Sequence, residues 1–207
     1  AEIAPHLNRF AATSAFFPWT WASAPWTLPS HVGMFTGLWP HESGVTRPAA
    51  RLAEEVVTLA ETFQLAGYRT AAITDGSFVS HHFGLDQGFE WFDGRRKGPD
   101  GTLAAVRAFL ELEDARPAFL VVHSYRSHHP YRPDAEAAPE TLRALGLRAE
   151  LLRESLPGLP PNVAGWTPRW RPDAQEAQRM RDLEALYRSA SGALDRLFGA
   201  TRELLEA

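Results

Sequence analysis

At 207 residues, 44% hydrophobic and 22% charged, the chain has the size and composition of one globular domain with a sizeable core. The formal net charge of -4 and the lack of any basic run exclude a general attraction to polyanions, so no nucleic-acid partner is expected. Cysteine is absent, which excludes disulfides and thiolate metal sites, and Lys97 is the single lysine, so a side-chain cation facing an anionic substrate would be an arginine.

Residues 4–12 read as a helix, and the aromatic stretch Phe16-Phe17-Pro18-Trp19-Thr20-Trp21 follows. A second helix is predicted to begin at Pro29, because proline suits a first helical position whose N–H is unsatisfied anyway, and to end near Gly37. Phe16, Phe17, Trp19, Trp21 and Trp26 are expected to pack in a core, with an apolar substrate pocket as the alternative. Residues 58–66 are amphipathic, with Leu59, Phe63 and Ala66 at helical spacing and Gly67 suited to the stop. A buried strand is predicted over 68–74, a helix over 102–112, and a continuous apolar strand over 118–123. Residues 133–172 change character: a helical piece around 141–152 leads into Pro157-Gly158-Leu159-Pro160-Pro161, as in a lid or variable insertion. From about Gln175 a long helix runs on, its apolar face marked by Met180, Leu183, Tyr187, Leu194, Leu197 and Leu204. Strands alternating with helices predict an α/β fold with a mostly parallel sheet covered on both faces. No internal repeat or membrane-length apolar run interrupts what reads as a single domain over 1–207.

The chemistry concentrates in Pro25-Trp26-Thr27-Leu28-Pro29-Ser30-His31. First-turn amides and the positive end of a helix dipole make an anion site, and Thr27 stands at its mouth. On these residues alone Thr27 is either a helix cap or a nucleophile beside a bound anion. Ligands of parallel sheets bind beyond the carboxyl ends of the strands, which places His123, closing its strand, and the loop bearing His128 on the functional side. His123 is equally a site residue or a core histidine; His129 is a neighbour, and His81 and His82 read as loop residues.

Thr27-Leu28-Pro29-Ser30-His31-Val32-Gly33-Met34-Phe35-Thr36-Gly37 resembles the sulfatase signature, in which Cys or Ser, any residue, Pro-Ser-Arg opens a helix ending in Thr-Gly. The resemblance continues in the same order through Pro5-His6-Leu7-Asn8-Arg9, Ala66-Gly67-Tyr68-Arg69-Thr70-Ala71, Gly84-Leu85-Asp86-Gln87-Gly88-Phe89, and Phe119-Leu120-Val121-Val122-His123 followed by His128-His129-Pro130-Tyr131. It implies the alkaline-phosphatase-like α/β fold, incomplete here, because the family's terminal metal-binding aspartates find no counterpart in the chain. The chain is therefore expected to be the middle of a larger enzyme.

The resemblance further implies a sulfate or phosphate ester as small-molecule substrate and a divalent metal (Ca, Mg, Mn or Zn) in the complete protein. Thr27 would be both nucleophile and metal ligand, His128 the group at the leaving oxygen, and His123 a substrate contact. His31 takes the place of the signature's arginine, where it would support Thr27. In most sulfatases a Cys or Ser at the first position becomes formylglycine; with Thr27 there, formylglycine is not expected and the hydroxyl itself would attack. Threonine at this place is similar to the phosphodiester and phosphonate hydrolases and phosphoethanolamine transferases of the superfamily. The alternative is a non-catalytic sulfatase-like protein that keeps the anion pocket for binding or assembly.

Overall fold

A computed structural model describes residues 2–95, 98–128 and 174–207. The expected lid at 133–172, its helical piece and His129 lie outside these residues. The chain forms two compact units, Ala15–Ser124 with Thr201–Ala207, and Ala1–Ser14 with Tyr125–Ala200.

The first of these units is built on three parallel strands in the order β2-β1-β3: β1 (Arg69–Thr74), β2 (Trp91–Asp93) and β3 (Ala118–His123). β1 is central and buried from Thr70 to Thr74, which is why it reads as an unbroken small and apolar run. Its register with β3 pairs Arg69 with Ala118 and Thr74 with His123, so the two strands end level. Side chains alternate between faces. Leu120 and Val122 pack with Ile73 against Ala105 and Val106 of α5 (Gly98–Leu110), together with Leu204. Phe119 turns the other way and stacks on Phe63 of α4 (Leu59–Leu65), ring centroids 4.3 Å apart. Helices therefore cover both faces of a parallel sheet, as the alternation of elements predicts.

On the α4 side lies α2 (Thr27–Thr36), followed by the short α3 (Pro40–Ser43). Leu28 and Val32, one turn apart and fully buried, anchor α2 in a core with Val45, Leu52, Val79 and Leu85. The helix begins two residues before the predicted start. Trp26 is its extended N-cap, and Pro29 is the third helical residue rather than the first. Proline costs little there, because every first-turn N–H lacks an intrahelical acceptor. Thr27 is thus inside the helix and not its cap. Gly37 closes α2 in the left-handed region at φ 73°.

The segment Gln87-Gly88-Phe89 is a structural clasp. Thr58 and Glu61 form a reciprocal capping box on α4: Glu61 N–H donates to the Thr58 hydroxyl at 3.1 Å and Thr58 N–H to the Glu61 carboxylate at 2.7 Å. Gln87 binds this box from outside, its amide donating to Val56 O at 2.7 Å and to Glu61 Oε2 at 3.0 Å. Gly88 sits at φ +83° against the backbone of Ala60 and Glu61, where a Cβ has no room. Thr70 of β1 completes the clasp by donating to Gly88 O and accepting from Glu90 N–H.

The aromatic stretch departs from expectation. Trp26 does pack, edge to face with Phe78 at 5.4 Å, but Phe16, Phe17, Trp19 and Trp21 are 71–85% exposed. Composition marks these rings as buriable; which of them meets the core is decided by the position of α2, which fixes only the end of the segment. Among the described residues no helix is long and apolar enough to cross a membrane.

The second unit joins α1 (Pro5–Ala11) to α6 (Ala174–Glu206), whose last turn belongs to the sheet unit. The predicted apolar stripe of α6 holds at Leu197, which is buried, and at Leu204, which packs with Ile73, Ala105 and Val106, but the rest of the buried face is offset from it. Ala185, Leu186, Ala190, Ala193 and Leu197 are buried, along with Asp182, Ser189 and Asp195, whereas Tyr187 is 48% exposed. Small side chains make this the face of close approach, and Asp195 explains why an acid lies on it. Its two oxygens accept from the backbone N–H groups of His6 at 3.0 Å and Leu7 at 2.8 Å, the first turn of α1. That turn has no side-chain cap of its own. Asp195→Ala is expected to destabilise the chain by about 2 kcal/mol, because two charge-assisted hydrogen bonds are lost together. Urea unfolding checks this, and a midpoint equal to wild type would remove Asp195 as the cap.

Candidate active site

Three elements bring polar groups to the carboxyl end of the sheet. α2 contributes Thr27 and His31, one turn apart on the same helix face. β3 contributes His123, its last residue, followed by Ser124; β1 contributes Asp75, the residue after its end. His123 shares the sheet face of Phe119 by the alternation of β3, which directs it toward α2. The rings of His31 and His123 meet nearly perpendicular, 5.0 Å between centroids.

A run of aromatic rings leads from the core to this pair. Phe63 stacks on Phe119, Phe119 on Phe89, Phe89 meets Phe35 edge to face at 5.9 Å, and Phe35 meets His31 at 6.3 Å. His31 is therefore held by packing as well as by its hydrogen bond. Its Nδ1 lies 2.8 Å from the backbone carbonyl oxygen of Thr27. A carbonyl only accepts, so Nδ1 carries the proton and, in the neutral ring, Nε2 keeps its lone pair. The expected support of Thr27 by His31 thus reaches the carbonyl and not the hydroxyl, because a side chain four residues along points back to the preceding turn.

Burial lowers the pKa of His31, against an opposing hydrogen bond to Thr27. His123 is lowered further, to about 4, first by burial and then by the charge of His31, with Asp75 pulling the other way. Both imidazoles are consequently neutral at pH 7: proton acceptors in place of the permanent cation that an arginine would supply. This has a consequence for stability. The unfolded chain protonates His123 near its ordinary pKa of 6.5, whereas the folded chain resists until about 4. Between these values the unfolded state holds more protons, so stability falls as pH drops from 6.5 to 4 and levels off below. Thermal melts from pH 7 to 4 should show this loss, and His123→Gln should reduce it. Equal pH slopes in the two proteins would reject His123 as its source.

Asp75 and Ser124 were not singled out as site residues by sequence. Ser124 Oγ donates to Asp75 Oδ2 at 2.9 Å, across a separation of 49 residues. The sequence signal that finds them is their place, each directly after a buried strand, at the ends where ligands of parallel sheets bind. His128 lies in the second unit, exposed in a turn closed by its own N–H to Tyr125 O at 2.9 Å, with its ring 5.2 Å from that of Tyr125. His81 and His82 are exposed in a single 3-10 turn (His81–Phe83), where their backbone carbonyls accept from Arg51.

The donor set at the sheet end is two hydroxyls, two imidazoles and one carboxylate. Among the described residues no three His, Asp or Glu side chains converge to hold a metal ion. By themselves these residues do not fit a divalent cation, which asks for six or more oxygens or a compact nitrogen and carboxylate set.

The fold and the position of Thr27 define a parallel α/β scaffold with a hydroxyl in the first turn of a helix at the sheet's carboxyl end. The family model described as Sulfatase matches residues 1–145, and the chain belongs to the sulfatase family. Among solved structures it is similar to BT4656 in complex with its substrate D-glucosamine-2-N,6-O-disulfate. That match has 25% identity and a TM-score of 0.57, covering 69% of this chain and 32% of that one. It shares the fold of a structure labelled BT33494S-sulf, from work on glycosaminoglycan metabolism by Bacteroides thetaiotaomicron. There the identity is 19% and the TM-score 0.66, over 98% of this chain and 50% of that one. The chain thus spans about a third to a half of the length of these structures. No curated protein matches it in sequence.

Proposed function

We propose that this chain carries the nucleophile of a sulfatase-family hydrolase or transferase acting on a sulfate or phosphate ester, with Thr27 as the attacking group. The observation that carries the reading is the placement of Thr27 in the first turn of α2, within the span the Sulfatase model matches and one turn from His31. A threonine hydroxyl is a weak nucleophile at neutral pH and needs a base or a Lewis acid. A neutral imidazole, His31 or His123, is the base proposed for its proton, and the helix N-terminus favours the anionic ester group. His128 is proposed for the leaving oxygen and His123 for the substrate. A divalent metal (Ca, Mg, Mn or Zn) in the complete protein also belongs to this proposal, with Thr27 among its ligands and the others outside the described residues. When bound, it would supply charge neutralisation at the transferred group. Formylglycine has no part in it, since Thr27 offers the hydroxyl directly.

The sulfated glucosamine bound by BT4656 makes a sulfated saccharide the first substrate class to try. The deciding experiment compares turnover of a sulfated glucosamine, an aryl sulfate and an aryl phosphodiester by the complete protein, with metal content measured by native mass spectrometry. Turnover of any of the three that is lost in Thr27→Ala supports the reading. Sulfate binding without turnover would leave the non-catalytic, anion-binding alternative.

A further inference from the structure

We infer that Asp75 is a positioning residue of this site: from the end of the central strand it holds Ser124, and with it aims His123 at the mouth of α2. The inference rests on the reading of Thr27 above and adds a residue to the same site.

Four observations support it. First, register: Thr74 pairs with His123, so the residues that follow, Asp75 and Ser124, leave the sheet side by side, and their side chains join at 2.9 Å. The bond ties the chain directly after His123 to β1, the most deeply buried strand. Second, the turn after β1 is built to hold Asp75 in one place. The Thr74 hydroxyl donates to Val79 O at 2.7 Å and accepts from Gly76 N–H at 3.1 Å, clamping the turn from both sides of Asp75. Gly76, at φ +72°, presses against the carbonyl of Gly94 so closely that a Cβ would collide with it. Third, Ser77 adopts φ 54°, alone among the described non-glycine residues in the left-handed region. Such strain persists where the surroundings over-determine the backbone, typically at functional sites. Fourth, the carboxylate acts on His123. Among the described residues, His31 from α2 and Asp75 from β1 influence the charge of this ring; the first disfavours it and the second favours it.

The arrangement has the logic of a carboxylate that orients a histidine and stabilises its charged form without itself taking up the proton. Burial keeps His123 neutral while the site is empty of anion. When an ester anion arrives, Asp75 lowers the cost of protonating the ring that faces it. A carboxylate near an anion site otherwise repels the ligand, so the two roles predict opposite results on removing its charge.

The test uses the complete protein and the variants Asp75→Asn, Asp75→Glu and Ser124→Ala. It reads turnover of an aryl sulfate and an aryl phosphodiester, together with histidine ring titration by NMR, the His123 signal being assigned with His123→Gln. Asp75→Asn is expected to lower kcat at least about tenfold with KM within about twofold, the mark of an interaction made in the transition state. His123 should then titrate at lower pH, and Asp75→Glu should restore its midpoint because the charge returns. Ser124→Ala should lower kcat less, with the His123 midpoint shifted in the same direction. An unmoved His123 midpoint in Asp75→Asn overturns the inference whatever happens to kcat, as does tighter binding of inorganic sulfate with undiminished turnover. Thr27→Ala separates the two readings. Turnover surviving that change rejects the nucleophile and leaves the NMR result to decide Asp75. Turnover lost in Thr27→Ala but unaffected in Asp75→Asn rejects this inference alone.

Discussion

Thr27→Ala is expected to cut kcat/KM for ester turnover in the complete protein by at least about 10³-fold, while the stability of the chain stays within about 0.5 kcal/mol of wild type. The two halves of this result belong together. Thr27 is the first residue inside α2, and Trp26 is the N-cap, so the substitution removes no capping position. Alanine is also the better helix former, by a few tenths of a kcal/mol at most. The residue is half-buried at the edge of a core that Leu28 and Val32 supply, so little packing is lost. A fall in turnover without a fall in stability therefore isolates the hydroxyl. Thr27→Ser keeps that hydroxyl and should retain turnover within about tenfold of wild type. Thr27→Ala with turnover within about twofold of wild type would end the nucleophile assignment. A melting point lowered by many degrees would instead show that Thr27 serves the helix.

The second large effect is structural. Gly88→Ala is expected to destabilise the chain by about 3 kcal/mol, against about 1 kcal/mol for Gly37→Ala. Both glycines are in the left-handed region, at φ +83° and +73°, so both substitutions carry the same backbone penalty. They differ in what a new methyl would meet. At Gly37 it meets nothing within 4 Å. At Gly88 it meets the backbone of Ala60 and Glu61, atoms fixed by the capping box of α4 and by Gln87. Those atoms cannot rotate aside, so either the N-terminus of α4 shifts or the turn leaves β1. At roughly 2–4 °C per kcal/mol for a chain of this size, Gly88→Ala should melt about 6–12 °C below wild type. Equal melting points for the two variants would show that the clasp is softer than its hydrogen bonds suggest.

These two positions illustrate how the chain divides between what local sequence sets and what the tertiary structure adds. The clasp was visible in the chain as a family-like Gly-Leu-Asp-Gln-Gly-Phe segment, yet its partners were not, because Gln87 reaches residues 31 and 26 positions away. Strand β3 could be placed to the residue, since a continuous apolar run with one histidine at its end has few other ways to be buried. The start of α4 was equally local: Thr58 and Glu61 at a spacing of three make a capping box from their own hydrogen bonds. The start of α2 was not local in this sense. Pro29 tolerates any first-turn position, and the choice fell to Trp26, whose packing on Phe78 extends the backbone just before Thr27.

By itself the sequence determined the sulfatase family, the parallel α/β scaffold, and the place of His31 on a helix and of His123 at a strand end. Hydrophobic period and capping chemistry act over a few residues, and the family signature is written in consecutive ones. Only the tertiary structure decided that His31 and His123 meet and that both are held neutral. It alone joined Asp75 to Ser124, left Phe16, Phe17, Trp19 and Trp21 exposed, and set Asp195 of α6 on the backbone of α1. Each of these depends on strand register, burial or the rotation of one element against another. Such quantities arise from contacts between residues far apart in the chain, and no local pattern encodes them.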